Sequence, residues 1–330
     1  MKTLIIEDAG KVSFTEKQKP TASKGQVLIK IKAVALNHRD QYIREGKYPG
    51  INYGTTLGAD ACGQVIELGE EVDNKWLNKE VVINPNIEWG DNPRVQSKNY
   101  HILGTPTDGV FAEFVAIDEN KIAEKPKHMS HEEAAALPLA GMTAFRALFH
   151  HGQLETSQKV LISGVGGGVA QFAFQFALAS TSEVYVTSGN AEKRAKCIEL
   201  GAKGAFNYKE EDWTKQAKEQ AGGFDLVIDS AGGSGLNDFI KLMKPAGRIV
   251  FYGATTGKPK DLDLFRMFWN QITLQGSTMA SDQEFHQMIE FVNTHKIKPI
   301  IDSTVAFDEI ISQFDKMKEG KQFGKLVAKF

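Results

Sequence analysis

A glycine cluster between two apolar segments constrains this chain more than any other feature. Residues 160–170 read VLISGVGGGVA, in which a strand candidate meets a helix candidate. Glycine lets the backbone turn tightly and approach a bound anion, and a helix N terminus offers free N–H groups to that anion. The cluster therefore predicts a dinucleotide site rather than a plain structural turn. The residues assigned to it are Gly164, Val165, Gly166, Gly167, Gly168 and Val169.

Alternating strand and helix patterns follow this loop. Strands are predicted over residues 159–163, 183–187, 224–229 and 248–252, with helices over 169–179, 191–200, 208–219 and 236–242. Such alternation predicts βαβ units around a parallel sheet. The fold class is α/β, with a Rossmann-type doubly wound parallel sheet. A further strand over 271–276 and a helix over 284–294 are also expected.

The first 125 residues have a different texture, dominated by strands and turns. Strands are predicted over residues 26–34, 63–68 and 80–83. A helix is expected to begin at Ser130, with Glu133 completing a capping box. A chain of 330 residues suggests about two domains. The final strand, 325–329, either returns to the first domain or ends the second.

The end of the second βαβ strand bears on cofactor choice. NAD sites usually carry an acidic residue there, about 20 residues after the glycine loop, which binds the ribose 2′-hydroxyl. This chain has Ser188-Gly189-Asn190, followed by Lys193 and Arg194. A hydroxyl and cations suit a 2′-phosphate, so NADPH is predicted over NADH. The alternative is that both cations are solvated helix charges.

Composition excludes several function classes. The formal net charge of −2 disfavours a nucleic-acid partner. No apolar run approaches the ~18 residues of a membrane span, and the apolar start is too short for a signal peptide. A cytoplasmic location is therefore expected. The two cysteines, Cys62 and Cys197, lie far apart, which disfavours a disulfide framework and a cysteine zinc site.

Several motifs, in this order and spacing, resemble those of the medium-chain dehydrogenase/reductase superfamily. They span residues 36–40, 57–63, 89–92, 108–113, 137–144, 164–168 and 323–327. The chain looks most similar to the zinc-free quinone oxidoreductase and enoyl reductase branches, including bacterial proteins called zinc-type alcohol dehydrogenase-like. The resemblance implies a GroES-like β-rich catalytic domain over 1–125, completed by about 296–330. It also implies a Rossmann NADPH-binding domain over 126–295, with the active site in the cleft between the two.

The same resemblance assigns cofactor contacts. It places Ser188, Lys193 and Tyr208 at the adenosine ribose and its 2′-phosphate, and Asn37 and Thr143 near the nicotinamide. Tyr208 has an alternative role as a half-buried core aromatic. The rest of the cofactor path would be lined by Tyr252, Gly253, Ala254, Gly276, Ser277, Phe323, Gly324 and Lys325.

No metal site is expected. Catalytic zinc needs three protein ligands and an open position. Zinc-dependent relatives have a cysteine at the position of Asn37 and a second cysteine at the position of Leu139. They have Gly-His-Glu where this chain has Gly-Ala-Asp, at residues 58–60. His38 and Cys62 are the nearest substitutes. His38 is expected to be a hydrogen-bonded surface or cleft residue, and Cys62 a small buried hydrophobe.

Without a Lewis acid, a conjugated acceptor suits the site better than a simple carbonyl, because an enolate spreads the developing charge. Tyr48 lies in a Gly-x-Tyr similar to that of enoyl reductases with a tyrosine acid, although it could simply pack the cleft. Asn37, Arg39 and Tyr42 are candidates to polarise the carbonyl. The predicted function is NADPH-dependent reduction of a quinone, enone or enoyl thioester.

Two other functions and one assembly remain open. The chain could be a cofactor-binding sensor or structural protein with little turnover, or, with less support, a zinc-dependent alcohol dehydrogenase. If strand 271–276 lies at the sheet edge, it would favour a homodimer by pairing with its twin. The expected partners are thus a small-molecule substrate and a second copy of the chain, with no nucleic acid and no membrane.

Overall fold

A computed structural model describes all residues, 1–330. The chain forms two compact units. Unit 1 comprises Met1–Ala140 and Ser281–Phe330, and unit 2 comprises Gly141–Ala280. The chain leaves unit 1 later than residue 125, where the sequence placed the first boundary. It returns to unit 1 earlier than residue 296. No helix is both long and apolar enough to cross a bilayer.

The strands and helices are numbered in chain order. The strands are β1 (Lys2–Asp8), β2 (Lys11–Glu16), β3 (Gln26–Ala35), β4 (Asp60–Leu68), β5 (Glu80–Ile83), β6 (Asn86–Ile87), β7 (His101–Ile102), β8 (Phe114–Asp118), β9 (Ile122–Glu124), β10 (Lys159–Ile162), β11 (Glu183–Thr187), β12 (Gly204–Phe206), β13 (Phe224–Asp229), β14 (Met243–Phe251), β15 (Thr273–Gly276), β16 (Ile301–Ala306) and β17 (Lys325–Lys329). The helices are α1 (His38–Arg44), α2 (His131–Ala135), α3 (Pro138–Phe145), α4 (Gly168–Ala179), α5 (Ala191–Glu199), α6 (Trp213–Ala221), α7 (Gly235–Leu242), α8 (Leu264–Trp269), α9 (Asp282–His295) and α10 (Ile310–Lys318).

Unit 1 is built on a seven-stranded sheet. Its order is β16-β17-β3-β4-β5-β9, and β8 also pairs with β3. The last strand, β17, runs antiparallel to β3, with Val327 opposite Ala35. The C-terminal strand therefore returns to the first unit, which decides between the two alternatives left by the sequence. Apolar side chains of these strands and of α10 form the buried core of the unit.

Unit 2 contains six parallel strands in the order β12-β11-β10-β13-β14-β15. Numbered within the unit, this is 3-2-1-4-5-6, the order of a doubly wound dinucleotide-binding sheet. The prediction of an α/β Rossmann sheet is confirmed. β15 lies at one edge of this sheet, as the sequence argument for pairing required.

Most predicted elements agree with the structure to within a few residues. β5, β11, β13 and β17 have the predicted bounds, and Ser130 and Glu133 form the expected capping box. The helix predicted over 208–219 is wrong at its start, because α6 begins at Trp213. Residues 207–212 form a turn instead, in which the Asn207 side chain accepts from the backbone N–H of Lys209. Asparagine competes in this way with helix formation.

Candidate active site

The glycine loop of unit 2 follows β10 directly. Gly164 has φ +60°, a left-handed conformation that favours glycine. The chain then enters α4 through Gly167, and no side chain caps this helix. The N–H groups of the first turn are therefore available to an anion, and the helix dipole favours negative charge at this end. This geometry fits the pyrophosphate of a dinucleotide.

The other predicted cofactor residues of unit 2 cluster at one edge of the sheet. Because the strands are parallel, their carboxyl ends share one edge, where ligands of such sheets bind. Ser188 follows β11, Tyr252, Gly253 and Ala254 follow β14, and Gly276 and Ser277 lie at the end of β15. The buried hydroxyl of Ser277 has no hydrogen-bond partner, so it is a polar group that a ligand could satisfy. Thr143, on α3, is buried, and its hydroxyl contacts the Met279 sulfur at 3.6 Å.

Basic residues follow the tip, or carboxyl end, of β11. Ser188 is buried, and Arg194 donates to its carbonyl at 2.7 Å. Asn190 caps α5 by accepting from the Lys193 N–H at 2.9 Å, which places Lys193 in the first turn. Tyr208 is 51% exposed and does not belong to the buried core of unit 2, so its alternative role as a core aromatic is wrong. No carboxylate follows β11 until Glu192, inside the helix.

Lys209 is a cation at this tip that the sequence reading missed. A Cβ on Gly189 would lie 2.6 Å from Cε of Lys209 and 3.3 Å from its ammonium nitrogen, so the lysine side chain crosses directly over the glycine. Gly189 follows Ser188 in the chain, and its lack of a side chain lets Lys209 lie close to this serine. The sequence signal was a lysine immediately after Tyr208, but the prediction put both residues at the start of a helix and gave Lys209 no role.

Unit 1 holds a closed polar network of Asn37, Asp60 and Lys325. These residues are respectively 7%, 0% and 3% exposed. The Lys325 ammonium donates to Asn37 Oδ1 at 2.7 Å and to Asp60 Oδ2 at 2.9 Å. Asn37 Nδ2 donates to the same Asp60 oxygen at 2.9 Å, and the Leu139 N–H donates to Asp60 Oδ1 at 2.8 Å. The sequence singled out Asn37 and Lys325 but gave Asp60 no role.

The start of α1 places further ionisable groups beside this network. Asp40 is fully buried and accepts from the Asn37 backbone N–H at 2.8 Å. Desolvation raises the pKa of Asp40 from its ordinary 3.8 to about 6, against the opposing effect of Arg39. The Arg39 guanidinium donates to the Leu103 carbonyl at 2.7 Å and lies 3.8 Å from Asp40.

Arg39 and Tyr48 are brought together by the structure. The guanidinium carbon lies 4.9 Å from the centre of the Tyr48 ring, within reach of a cation–π interaction. Arg39 is 8% exposed, and its Nε and Nη2 atoms are buried without partners. Tyr48 is half-buried and packs against the core of unit 1. Arg39 is thus placed to hold the Tyr48 ring rather than to reach solvent.

The remaining predicted residues of unit 1 have different surroundings. Tyr42 is half-buried, with its ring 6.4 Å from that of the exposed His38. The Phe323 backbone N–H donates to Asp302 at 2.8 Å, and Gly324 leads into β17. Cys62 is fully buried, as predicted, and burial raises the pKa of its thiol. A protonated thiol is a poor metal ligand.

Comparison with known proteins agrees with this architecture. Residues 23–127 match the family described as alcohol dehydrogenase GroES-like domain, and residues 168–294 match the one described as zinc-binding dehydrogenase. The zinc-type alcohol dehydrogenase-like protein YogA of Leptosphaeria maculans is 37% identical over 94% of this chain and 92% of its own length. The chain belongs to the medium-chain dehydrogenase/reductase superfamily.

Two further members of the superfamily extend the comparison. A mouse quinone oxidoreductase is 27% identical over 93% of this chain and 90% of its own length. The crystal structure of an NAD-dependent alcohol dehydrogenase superposes on this chain with a TM-score of 0.94 at 31% identity, over the full length of both chains. This member of the superfamily is therefore an oxidoreductase with a nucleotide-binding dehydrogenase fold.

The name of the matched C-terminal family implies zinc, and the side chains of this member do not fit it. Asn37, Ala59 and Leu139 stand at the positions that resemble zinc ligands, and none supplies a thiolate or imidazole. Both oxygens of the neighbouring Asp60 are already engaged by protein donors. No group of three or more His, Cys, Asp or Glu side chains gathers where it could hold a metal ion.

Proposed function

We propose that this chain is an NADPH-dependent, zinc-independent reductase of conjugated acceptors: quinones, enones or enoyl thioesters. The observation that carries the proposal is the Asn37–Asp60–Lys325 network, which puts a fixed amide where zinc-dependent relatives would bind their metal. An amide N–H can hold the oxygen of an enolate, whose charge is already delocalised. The same N–H stabilises the reduction of a saturated carbonyl less well, because the negative charge then stays on a single alkoxide oxygen.

The proposed chemistry divides between two groups of unit 1. Bound NADPH would supply the hydride that adds to the β-carbon of the acceptor. Asn37 would donate a hydrogen bond to the acceptor oxygen as negative charge grows there. Tyr48 would give its hydroxyl proton to the α-carbon and regain one from water. Arg39 would hold the Tyr48 ring from its face, and Tyr42 is a second candidate donor to the oxygen.

The preference for NADPH rests on the tip of β11. Ser188 supplies a hydroxyl, while Lys193, Arg194 and Lys209 supply positive charge near it. A 2′-phosphate carries negative charge and hydrogen-bond acceptors that match this set. The NAD-dependent alcohol dehydrogenase with the same fold is the comparison against which this preference is tested by titration with both cofactors. Tyr208, exposed beside Lys209, is available to stack on or cover the adenosine.

Assembly as a cytoplasmic homodimer also belongs to this proposal. β15 lies at the edge of the sheet, where its unpaired N–H and C=O groups can bond to a second strand. The helix before it, α8, exposes large apolar side chains, each at least 64% accessible. These are Leu264, Phe265, Phe268 and Trp269. A second copy that paired with β15 across a two-fold axis would be positioned to cover part of α8.

Steady-state oxidation of NADPH over a panel of quinones, enones and saturated aldehydes tests the function. We expect rapid turnover with the conjugated acceptors, slow turnover with aldehydes, and negligible oxidation of ethanol. No turnover with any acceptor would favour a cofactor-binding sensor or structural protein. Preferred turnover of alcohols that requires added zinc would favour the zinc-dependent reading.

Tyr48→Phe tests the proton donor. Loss of a general acid typically lowers a rate by about 10²–10⁴-fold. We expect kcat for enones to fall in this range, NADPH affinity to stay constant, and quinone reduction to suffer less, because solvent can protonate a quinol anion. Tyr53→Phe is the matched control, since Tyr53 is 47% exposed and outside the proposed machinery. Full enone activity in Tyr48→Phe would reassign Tyr48 to packing and leave water or Tyr42 as the proton source.

A further inference from the structure

We infer that Lys325 is a positioning residue that sets the orientation of the Asn37 amide, so that one Asn37 N–H is always presented as a hydrogen-bond donor. The catalytic meaning of this inference rests on the proposed function, in which Asn37 holds the acceptor oxygen. The orientation itself depends only on the contacts within unit 1. It gives Lys325 a role other than lining the cofactor path.

The orientation of the amide follows from the chemistry of its two neighbours. An ammonium group has only donors, so the atom of Asn37 that it contacts at 2.7 Å must be the carbonyl oxygen. An ionised carboxylate has only acceptors, so the atom that Asp60 contacts at 2.9 Å must be the NH₂ nitrogen. A flipped Asn37 would set its NH₂ against an ammonium and its oxygen against a carboxylate. Lys325 and Asp60 therefore hold the amide from both ends.

The network leaves one donor of Asn37 unused. Asp60 Oδ1 accepts from Leu139, and Oδ2 accepts from both Asn37 and Lys325. The Asn37 carbonyl oxygen is occupied by Lys325, and one of its two amide hydrogens by Asp60. The second amide hydrogen has no protein partner among the hydrogen bonds of the network, and the residue keeps 7% of its surface exposed. A ligand oxygen is the remaining partner that could satisfy it.

The backbone holds the lysine as firmly as its side-chain contacts do. Lys325 is the first residue of β17, which pairs with β3 immediately before Asn37. The Leu36 N–H donates to the Leu326 carbonyl at 2.9 Å, one residue from each partner. Lys325 and Asn37 are 288 positions apart in the chain, yet the sheet fixes them side by side. The sheet anchors the lysine backbone, and the hydrogen bonds to Asn37 and Asp60 fix the position of the ammonium at the end of its flexible stem.

Loss of the ammonium should release the amide. In Lys325→Met, the Asn37 oxygen would lose its charged donor and Asp60 would lose its counter-charge. Asp60 alone would then hold the amide, and any rotation by about 180° would present an oxygen where the N–H had been, which would repel an enolate. Loss of one preorganised donor typically lowers kcat by about 10²–10³-fold. We expect kcat with an enone to fall by about this factor, with little change in NADPH affinity.

The test combines a double-mutant cycle measured on kcat with hydrogen exchange of the Asn37 NH₂ group measured by NMR. The variants are Lys325→Met, Lys325→Arg, Asn37→Ala and the Asn37→Ala/Lys325→Met pair. Lys121→Met is the matched control, because it removes another largely buried lysine that bonds an aspartate, Asp282, at 2.8 Å in the same unit. If Lys325→Met does not fold, the Asp60→Asn/Lys325→Met pair, which removes both charges, replaces it in every arm.

The kinetic arm separates positioning from general stability. If Lys325 acts through Asn37, its removal lowers kcat in the parent but has no further effect in the Asn37→Ala background. Lys325→Arg, which keeps the donors and charge, should retain most of the activity, and Lys121→Met should retain all of it. An equal loss of kcat in both backgrounds would overturn the inference and make Lys325 a merely structural residue.

The spectroscopic arm needs no substrate. In protein labelled with ¹⁵N-asparagine, the Asn37 NH₂ resonance is assigned by its loss in Asn37→Ala. It should show slow hydrogen exchange in the parent and Lys121→Met, and faster exchange in Lys325→Met. Unchanged exchange in Lys325→Met would refute the inference. If the parent reduced no acceptor at all, the proposed function would fail, and this arm would still decide whether Lys325 orients Asn37.

Discussion

Asp40→Asn should stabilise the protein at neutral pH, although it removes a charge beside the candidate site. Asp40 is fully buried, and desolvation raises its pKa from 3.8 to about 6. The nearby charges are Arg39 and Lys325, which favour the ionised form, and Asp60, which opposes it. Desolvation outweighs the sum of these effects, so holding Asp40 ionised costs folding free energy that asparagine does not incur.

The sign and size follow from proton linkage. Between about pH 4 and pH 6 the folded state binds more protons at this site than the unfolded state, so stability falls as pH rises. The loss is nearly complete at about pH 7, one unit above the folded pKa, where Asp40 is ionised in both states. A pKa difference of about two units corresponds to about 3 kcal/mol. Asp40→Asn should therefore be more stable than the parent by up to about 3 kcal/mol at pH 7.

Urea unfolding of both proteins at pH 7 and pH 5 measures this difference. Asparagine can still accept from the Asn37 N–H, so the main hydrogen bond survives. We expect the advantage of Asp40→Asn to shrink by about 1.4 kcal/mol at pH 5, one unit below the folded pKa. Lys121→Met serves as a reference whose difference from the parent should not narrow in this way. An Asp40→Asn advantage that is absent at pH 7, or identical at both values, would refute the reasoning.

The other predictions concern cofactor, metal and assembly. By fluorescence titration, NADPH should bind at least tenfold more tightly than NADH, about 1.4 kcal/mol. Ser188→Asp should erase or reverse that preference and Lys209→Met should weaken it, whereas equal parental affinities would contradict the assignment. Chelators should leave NADPH-linked activity intact. Activity that is lost on chelation and restored by zinc would refute the prediction of zinc independence. Light scattering should give twice the chain mass of 36.4 kDa, and a monomer at micromolar concentration would count against pairing through β15.

The parallel sheet could be predicted because its signals are local. β11 and β13 were predicted with the observed bounds, since an apolar run between turn residues specifies a buried strand within a few residues of chain. The glycine loop was identified for the same reason. The start of α6 was predicted wrongly, because the turn at Asn207 depends on one side chain bonding to a backbone N–H two residues on. Hydrophobic pattern does not encode that choice.

The chemistry of the candidate site depends on contacts between residues far apart in the chain, which local sequence patterns do not reveal. The sequence pointed to the two residues separately: Asn37 was predicted near the nicotinamide and as a group that polarises the carbonyl, and Lys325 was predicted only to line the cofactor path. Only the pairing of β17 with β3 brings them within 2.7 Å, across 288 positions of chain. Asp60 then becomes important because it is the acceptor that fixes the other end of the amide. The consequence is general for sites of this kind: when a metal ligand is replaced by an amide, the residue to look for next is the one that decides which end of the amide faces the substrate.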